Sequence, residues 1–189
     1  MEKGNEQGLV ARPVARGNAD YAQIKALYRE AFPAFERFSL PALRLFARKR
    51  EVDFLAYYNP GCGDQLCGMT YTIEAGDYLY ILYLAVSVTL RGGGYGTRIL
   101  DQLKREHPGK HLVLEIEPLD KKAKNYDQRT RRLSFYEHNG FKLAGYDLFE
   151  GKVRYTMLAT EDKFDPDAFS RAVRKLTHGL YRFKIIPVN

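Results

Sequence analysis

Three consecutive glycines limit the folds open to this chain more than any other part of its sequence. They lie in RGGGYG, residues 91–96, after the apolar run YLYILYLAVSVTL and before YGTRILDQLKRE, whose apolar residues recur at helical spacing. The apolar run predicts a central strand that is covered on both faces of a sheet. A glycine turn between such a strand and a helix presents backbone N–H groups at the positive end of the helix, which favours an anion site. A tight turn without a ligand is the alternative.

Two known phosphate-binding patterns fit this turn poorly. The Walker pattern G-x-x-x-x-G-K-[ST] fails, because no Lys and Ser/Thr follow at that spacing. The dinucleotide fingerprint G-x-G-x-x-G/A fits in part, since Thr97 or Ile99 occupies the position of its third glycine. The turn also follows an apparent antiparallel meander halfway along the chain, which leaves too few residues for a doubly wound sheet.

The length and composition predict one globular domain. The chain has 189 residues, of which 45% are hydrophobic and 28% charged. The longest apolar run stops at Arg91, short of the roughly 18 to 20 residues of a membrane helix, and MEKGNEQGLV is too polar for a signal peptide. We therefore expect a cytoplasmic protein that does not enter the membrane.

The cysteines and histidines predict no metal site. Cys62 and Cys67 lie in the turn-rich GCGDQLC, and we expect reduced thiols there, with a local disulfide as the alternative. The histidines lack the spacing of zinc ligands. They are His107, His111, His138 and His178.

The positive charge is concentrated in one stretch. The formal net charge is +7, and residues 121–142 contain seven basic and two acidic residues, a net +5. This run is either a solvated helix face or a surface for phosphate or nucleic acid. RNA binding predicts exposed aromatics among the basic residues, and Tyr126 is the only clear case in the sequence between Lys121 and Arg132. We therefore do not expect a nucleic acid partner.

The remaining periodicities predict alternating helices and strands. An amphipathic helix follows Asp20 as N-cap and stops at Pro33, and a second helix opens at Ser39. Strand patterns then predict a meander, and a further strand, HLVLEIE, follows the helix after the glycines. A helix closed by Gly140, two strands around Gly151, and a final helix with a short strand complete the chain.

Two motifs resemble one known family. RGGGYGTRIL is similar to the Q/R-x-x-G-x-G/A signature of the GNAT superfamily of N-acetyltransferases, and RRLSFYEHNGF resembles the second family motif with its F-Y-x-x-x-G-F core. The motifs occur in the family order with a strand between them, and the resemblance covers roughly residues 10–160. It implies an α/β (α+β) fold with a mixed, mostly antiparallel central sheet that splays open at its middle and is flanked by helices. The chain 1–189 would be a single domain, with 161–189 as a C-terminal helical extension.

The same resemblance implies acetyl-CoA as cosubstrate, bound in the cleft of the splayed sheet. Backbone N–H groups of the glycine turn would bind the pyrophosphate, and a strand end would pair with the pantetheine arm. Asn125 matches a family position near the pantetheine or phosphates. Arg132 resembles a common family arginine, and whether it pairs with a carboxylate or with a CoA phosphate is open. The turn residues are Arg91, Gly92, Gly93, Gly94, Tyr95, Gly96 and Thr97, and the strand-end residues are Leu84, Ala85 and Val86.

Acyl transfer from a thioester to an amine needs a proton for the departing thiolate and a base for the amine. The resemblance assigns the proton donor to Tyr136, whose phenol is protonated at neutral pH; a core tyrosine beside Phe135 is the alternative. Glu115 and Glu117 alternate along HLVLEIE and share one strand face, so each is a candidate base, or else a surface glutamate. A water chain is a further alternative to any such base.

The acceptor site has weaker sequence support. Glu36 lies between the first two helices, a segment that commonly borders the acceptor site in the family. Tyr80 and Tyr83 are candidates to line the pocket, although aromatic residues in strands are more often core.

The resulting prediction is an acetyl-CoA-dependent N-acetyltransferase. It would transfer an acetyl group to a primary amine of a small molecule or peptide by direct attack in a ternary complex. The alternative is a non-catalytic CoA-binding sensor or an anion- or RNA-binding module. Whether the protein is a homodimer is left open.

Overall fold

A computed structural model describes residues 8–188, which contain five α-helices and one eight-stranded sheet. The segment MEKGNEQGLV, which is too polar for a signal peptide, lies largely outside the described residues. The helices are α1 (Tyr21–Ala31), α2 (Leu40–Phe46), α3 (Tyr95–Glu106), α4 (Tyr126–His138) and α5 (Pro166–Thr177). The strands are β1 (Val10–Pro13), β2 (Val52–Asn59), β3 (Gln65–Ala75), β4 (Tyr78–Val86), β5 (His111–Ile116), β6 (Lys142–Glu150), β7 (Val153–Ala159) and β8 (Lys184–Pro187).

The sheet is mixed and mostly antiparallel, which confirms the predicted fold class. Its strand order is β1-β2-β3-β4-β5-β7-β6-β8. The pairs β1–β2, β5–β7, β6–β7 and β6–β8 are antiparallel, whereas β4 and β5 are parallel. The described pairing of β4 with β5 runs from Tyr78 to Tyr80, and β4 itself continues to Val86. Both edge strands, β1 and β8, are four residues long and end in proline.

The described chain divides into two compact units. The first comprises residues 8–72 and 83–108, and the second comprises residues 73–82 and 109–188. Strand β4 contributes residues to both units. The assignment of the chain as a single domain stays a prediction.

In the first unit, helices α1 and α2 form where the sequence predicts them. Helix α1 begins after Asp20, but the Asp20 side chain makes no capping hydrogen bond, and its carbonyl accepts from the N–H groups of Gln23 and Ile24 instead. Helix α2 is capped as predicted, since Ser39 Oγ accepts from the N–H of Ala42. The buried face of α1 carries Ile24, Leu27 and Tyr28, which matches the predicted apolar spacing.

Strands β3 and β4 approach each other closely in the first unit. The N–H of Ser87 donates to the carbonyl of Cys67 at 2.8 Å. A Cβ built on Gly68 would lie 2.5 Å from the carbonyl oxygen of Ala85, so this spacing requires a residue without a side chain. Cys67 is buried, Cys62 is exposed, and both are free thiols.

In the second unit, the segment after β7 contributes to the core. Asp165 caps α5 by accepting from the N–H groups of Asp167 and Ala168, and the helix buries Phe169 and Val173. The ring of Phe169 packs edge-on against Tyr80 at 5.2 Å. The final helix and the short strand that the sequence indicates are therefore both present, and β8 pairs with β6.

Candidate active site

The glycine turn of the first unit leads into α3 through two left-handed residues. Gly92 has φ +81° and Gly94 has φ +76°, and a Cβ built on either would meet no atom within 4 Å. The first backbone bond of the helix runs from the N–H of Arg98 to the carbonyl of Gly94 at 3.0 Å. The N–H groups of Tyr95 and Gly96 precede this ladder and lie at the positive end of the helix dipole. The turn therefore has the local geometry of an anion site.

The side chain of Tyr95 fastens this turn to the rest of the first unit. Its hydroxyl accepts from Asn59 Nδ2 at 3.0 Å, and Asn59 also caps the 3₁₀ turn that follows β2. The guanidinium of Arg98 lies over the Tyr95 ring at 5.2 Å. Tyr95 thus fixes the start of α3 with its side chain, and its backbone N–H precedes the hydrogen-bond ladder of the helix. Thr97 is exposed in the first helical turn.

The end of β4 presents the strand segment predicted to pair with pantetheine. Leu84 and Val86 are half-buried, and Ala85 is buried against Gly68. The Nε of the exposed Arg91 donates to the carbonyl of Val86 at 3.4 Å. This bond links the strand end to the glycine turn within the first unit.

Tyr83 holds the segment between α1 and α2 rather than standing free in a pocket. Its hydroxyl donates to the carbonyl of Glu36 at 2.6 Å and accepts from the N–H of Phe38 at 3.2 Å. Tyr28 donates to the carbonyl of Phe38 at 3.1 Å, and the rings of Tyr28 and Tyr83 meet edge-on at 5.0 Å. Two tyrosines therefore define the backbone path that carries the exposed Phe35.

Replacing Tyr83 with Phe tests this attachment. The change removes the bonds of the hydroxyl to Glu36 and Phe38 and keeps the ring, so the free energy of unfolding should fall by about 1–2 kcal/mol. The Phe38 amide should lose more protection against hydrogen exchange, measured by NMR, than the fall in the free energy of unfolding explains. Tyr21→Phe is the control, because the Tyr21 hydroxyl accepts from Arg44 and does not contact this segment. An unchanged exchange rate at Phe38 would contradict the role of Tyr83.

In the second unit, Tyr80 and Glu115 lie in direct contact. The Tyr80 hydroxyl donates to Glu115 Oε1 at 2.7 Å and lies 3.0 Å from the hydroxyl of Tyr181. Tyr181 in turn donates to Glu150 Oε1. Burial, reinforced by the Glu115 carboxylate, raises the pKa of Tyr80 well above its usual value. Tyr80 is fully buried, so its candidate role as an acceptor contact stays a prediction.

Glu117, the other candidate base, is held by two arginines. Its Oε1 lies 2.9 Å from Arg129 Nη2, and its Oε2 accepts from Arg132 Nη1 at 3.1 Å. Asn125 Nδ2 also lies 3.3 Å from both carboxylate oxygens, and Asn125 Oδ1 accepts from Arg129 Nε at 2.9 Å. The sequence left a carboxylate and a CoA phosphate open as partners of Arg132, and in the structure Arg132 pairs with the carboxylate of Glu117. This ion pair fixes the first turns of α4 against the end of β5.

Tyr136 lies on the inner face of α4 with 8% of its surface exposed. Its ring packs edge-on against Phe135 at 5.0 Å and Phe141 at 5.5 Å. Burial raises the pKa of Tyr136 to about 12, although the positive charge of Arg132 opposes the shift. The phenol is therefore protonated throughout the neutral range.

Sequence reasoning missed Tyr181 and Glu150. Tyr181 lies in the segment between α5 and β8, and Glu150 ends β6 immediately before the turn at Gly151. Neither belongs to a motif, and their proximity to Glu115 depends on the packing of the segment after β7. Local patterns therefore carry no signal for them.

Comparison with known proteins supports the resemblance drawn from the two motifs. A family model described as an acetyltransferase (GNAT) domain matches residues 50–143, which include the glycine turn and the whole F-Y-x-x-x-G-F motif. The chain belongs to the GNAT superfamily. The predicted family is thus confirmed, and the matched residues include both helices that carry the motifs, α3 and α4.

Individual GNAT relatives match at low to moderate identity. YjbC, a candidate acetyltransferase of Bacillus subtilis (strain 168), is 34% identical over 71 residues, which are 38% of this chain and 34% of YjbC. The match thus spans about a third of the relative's length. A candidate GNAT acetyltransferase from Bacteroides thetaiotaomicron has TM-score 0.66 and 24% identity, covering 91% of this chain and 98% of its own. An aminoglycoside 6'-N-acetyltransferase complexed with coenzyme A has TM-score 0.60 and 19% identity, covering 82% and 99%. The two structures share the fold.

Two further findings concern metal and membrane. Among residues 8–188, no three His, Cys, Asp or Glu side chains lie together in a way that could hold a metal ion. In the same part of the chain, no helix combines the length and the apolar character that a membrane crossing requires.

Proposed function

We propose that this GNAT protein transfers the acetyl group of acetyl-CoA to a primary amine of a small molecule or peptide, by direct attack in a ternary complex. The observation that carries the proposal is the open glycine turn at the start of α3. Its left-handed Gly92 and Gly94 leave space for a phosphate beside the first N–H groups of the helix. The similarity to an acetyltransferase with bound coenzyme A supports the same ligand.

The cofactor would bind mainly through backbone groups. The pyrophosphate would accept from the turn, and pantetheine would pair with the strand end of β4. Asn125 and Arg132 would orient the start of α4 through Glu117, and the Arg132 guanidinium has further N–H donors for a CoA oxygen. The proposed turn residues are Arg91, Gly92, Gly93, Gly94, Tyr95, Gly96 and Thr97, and the proposed strand residues are Leu84, Ala85 and Val86.

Two side chains of the second unit supply the proton chemistry in this proposal. The amine nitrogen attacks the thioester carbonyl carbon, its surplus proton passes to Glu115, and the CoA thiolate leaves with the proton of Tyr136. A buried phenol whose pKa is raised to about 12 retains its proton until the thiolate forms. We favour Glu115 over Glu117 as the base, because both oxygens of Glu117 already accept from guanidinium groups.

Calorimetric titration with acetyl-CoA, followed by thiol release in the same sample, tests the proposed function. We expect micromolar binding and thiol release that depends on an added amine. The amines tested should include aminoglycosides, because one protein of similar structure is an aminoglycoside 6'-N-acetyltransferase. Polyamines and peptides with free N-termini complete the panel. Binding without release across the panel would favour the alternative of a CoA sensor, and absence of binding would overturn the whole proposal.

Gly94→Ala tests the glycine turn directly. A Cβ at this position enters the space proposed for the phosphate, so the affinity for acetyl-CoA should fall by about tenfold or more. Gly151→Ala is the matched control, because Gly151 also has a positive φ, +60°, and open surroundings, but it lies in the turn between β6 and β7. Equal losses of affinity in both variants would indicate general backbone strain and contradict the proposed phosphate site.

A further inference from the structure

Four side chains of the second unit form one continuous hydrogen-bonded chain, here called the Tyr–Glu network: Glu115, Tyr80, Tyr181 and Glu150. It contains three oxygen–oxygen contacts. Tyr80 lies 2.7 Å from Glu115 Oε1 and 3.0 Å from the Tyr181 hydroxyl, and Tyr181 contacts Glu150 Oε1. A carboxylate thus lies at each end, and two phenols connect them.

The number of protons available limits the charge of this network. Each phenol carries one proton and donates one hydrogen bond, whereas an ionised carboxylate donates none. With both carboxylates ionised, Tyr80 and Tyr181 each donate outward, and their own oxygens face each other at 3.0 Å without a proton between them. A third proton, on one carboxyl, places one proton in each of the three contacts. All three contacts are therefore hydrogen bonds when the network carries one negative charge.

The surroundings favour this protonation state. Tyr80 is fully buried, and burial raises the pKa of both phenols well above the usual value, which keeps them neutral. Burial also raises the pKa of Glu150, although its bond with Tyr181 opposes the shift, so burial favours the protonated form at this end of the network. On the neighbouring strand β7, Glu115 lies opposite Met157 and Glu150 lies opposite Val153, and both of these partners are uncharged.

The charged and titratable groups of α4 are the other neighbours to consider. The charge of Glu115 raises the pKa of Tyr136 and the charge of Arg132 lowers it, and Arg132 is paired with Glu117. Tyr136 is neutral in the working range, since burial raises its pKa to about 12. The negative charge of Glu115 therefore acts on the phenol proposed as the acid, and Arg132, which opposes it, is paired with Glu117.

We propose that the Tyr–Glu network holds one proton shared between its two carboxyls and relays protons between Glu115 and Glu150. The relay deepens the proposed transferase function and rests on it for its role: it would remove the proton that Glu115 takes from the amine. The shared proton itself does not depend on that role. Tyr181 and Glu150 act through Glu115 and are positioning and relay residues rather than catalytic residues.

The proton and charge balance of one relay cycle is closed. A proton from the ammonium or amine nitrogen bonds to the Glu115 carboxylate, and Glu150 releases one proton to water. The negative charge has then moved from Glu115 to Glu150, and the O–H groups of Tyr80 and Tyr181 turn to donate towards Glu150. Protons next pass along the chain from Glu115 to Glu150, so that each phenol gains one proton and gives up one. This transfer returns the negative charge to Glu115 and restores the resting state, and one proton has passed from the amine to water.

The segment after α5 supplies the link that completes the network. Tyr181 is held by the ring of Phe183 at 5.2 Å and lies just before β8, which pairs with β6, the strand of Glu150. The ring of Tyr181 also stacks on Tyr80 with centroids 6.4 Å apart. The segment that the sequence left without a role therefore carries a central member of the network.

Carbon-13 NMR of the glutamate carboxyls in the full chain tests the shared proton without any substrate. Glu115→Gln and Glu150→Gln assign the two signals. At pH 7 we expect one of the two carboxyls to be protonated and both signals to titrate together as the pH is raised. Two fully ionised carboxyls at pH 7 would overturn the proposal.

Tyr181→Phe tests the link, with Tyr146→Phe as a matched control whose ring packs on Phe164 outside the network. We expect the two carboxyls to titrate separately in Tyr181→Phe and together in the control, and kcat for amine acetylation to fall about tenfold with little change in the KM for acetyl-CoA. Joint titration that survives in Tyr181→Phe overturns the relay. If the wild-type carboxyls titrate together but no amine is acetylated, the transferase proposal fails and the shared proton stands.

Discussion

Tyr136→Phe is expected to lower kcat about 100-fold while leaving the affinity for acetyl-CoA unchanged. The substitution removes only the phenolic oxygen and its proton, and the ring keeps its edge-on contacts with Phe135 and Phe141. The thiolate must then leave without a proton donor, which raises the barrier of that step. Steady-state kinetics of amine-dependent thiol release, together with calorimetric titration of acetyl-CoA, separates the loss of turnover from any loss of binding.

The pH dependence sharpens this test. A general acid works in its protonated form, so its contribution is present below its pKa and disappears as the pH rises through that value. Because burial raises the pKa of Tyr136 to about 12, ionisation of this residue should not lower kcat between pH 7 and pH 9. Tyr146→Phe serves as the control for loss of a phenol elsewhere in the second unit. Full turnover in Tyr136→Phe would show that the proton comes from another source.

Gly68→Ala is expected to reduce the free energy of unfolding by about 2–3 kcal/mol, as overpacking in a core does. The new Cβ would lie 2.5 Å from the carbonyl oxygen of Ala85 and 2.8 Å from Ile99 Cδ1. The side-chain methyl of Ile99 has some freedom to rotate, whereas the backbone of Ala85 does not. Strands β3 and β4 must therefore separate locally, which urea denaturation would detect as a lower midpoint.

The same substitution should weaken acetyl-CoA binding, because Ala85 belongs to the strand end proposed to pair with pantetheine. Gly17→Ala is the control, since a Cβ at Gly17 meets no atom within 4 Å. If Gly68→Ala and Gly17→Ala have the same midpoint, the close approach of β3 and β4 does not limit stability. A destabilised variant with unchanged affinity would exclude Ala85 from the cofactor site.

Local patterns predicted the elements and the glycine turn well. The apolar periodicity of α1 and the cap at Ser39 depend on neighbouring residues in the sequence, so they can be recognised without tertiary information. The glycine turn before α3 was recognised by the same kind of local rule, and the structure adds the left-handed conformations of Gly92 and Gly94. The family motifs added the expected order of elements, and the GNAT match confirmed it.

The partners of the candidate site residues were not predictable in the same way. Tyr80 and Tyr83 have the same apparent role in the sequence, yet Tyr80 bonds the half-buried carboxylate of Glu115 and Tyr83 bonds the backbone at Glu36. Likewise, Glu115 and Glu117 are equivalent in the sequence pattern, but Glu115 bonds Tyr80 whereas Glu117 pairs with the arginines of α4. Such differences arise from elements distant in sequence, whose packing leaves no periodic signal.

The proline-ended strands at the two borders of the sheet also bear on self-association. β1 ends at Pro13 and β8 ends at Pro187, and each offers only four residues to an added strand. Proline has no N–H to donate, and so short a border gives an incoming strand few backbone bonds. The sheet is thus protected against growing from copy to copy into a continuous ribbon. If two copies of this chain form a homodimer, we expect them to meet through side chains rather than by joining their sheets.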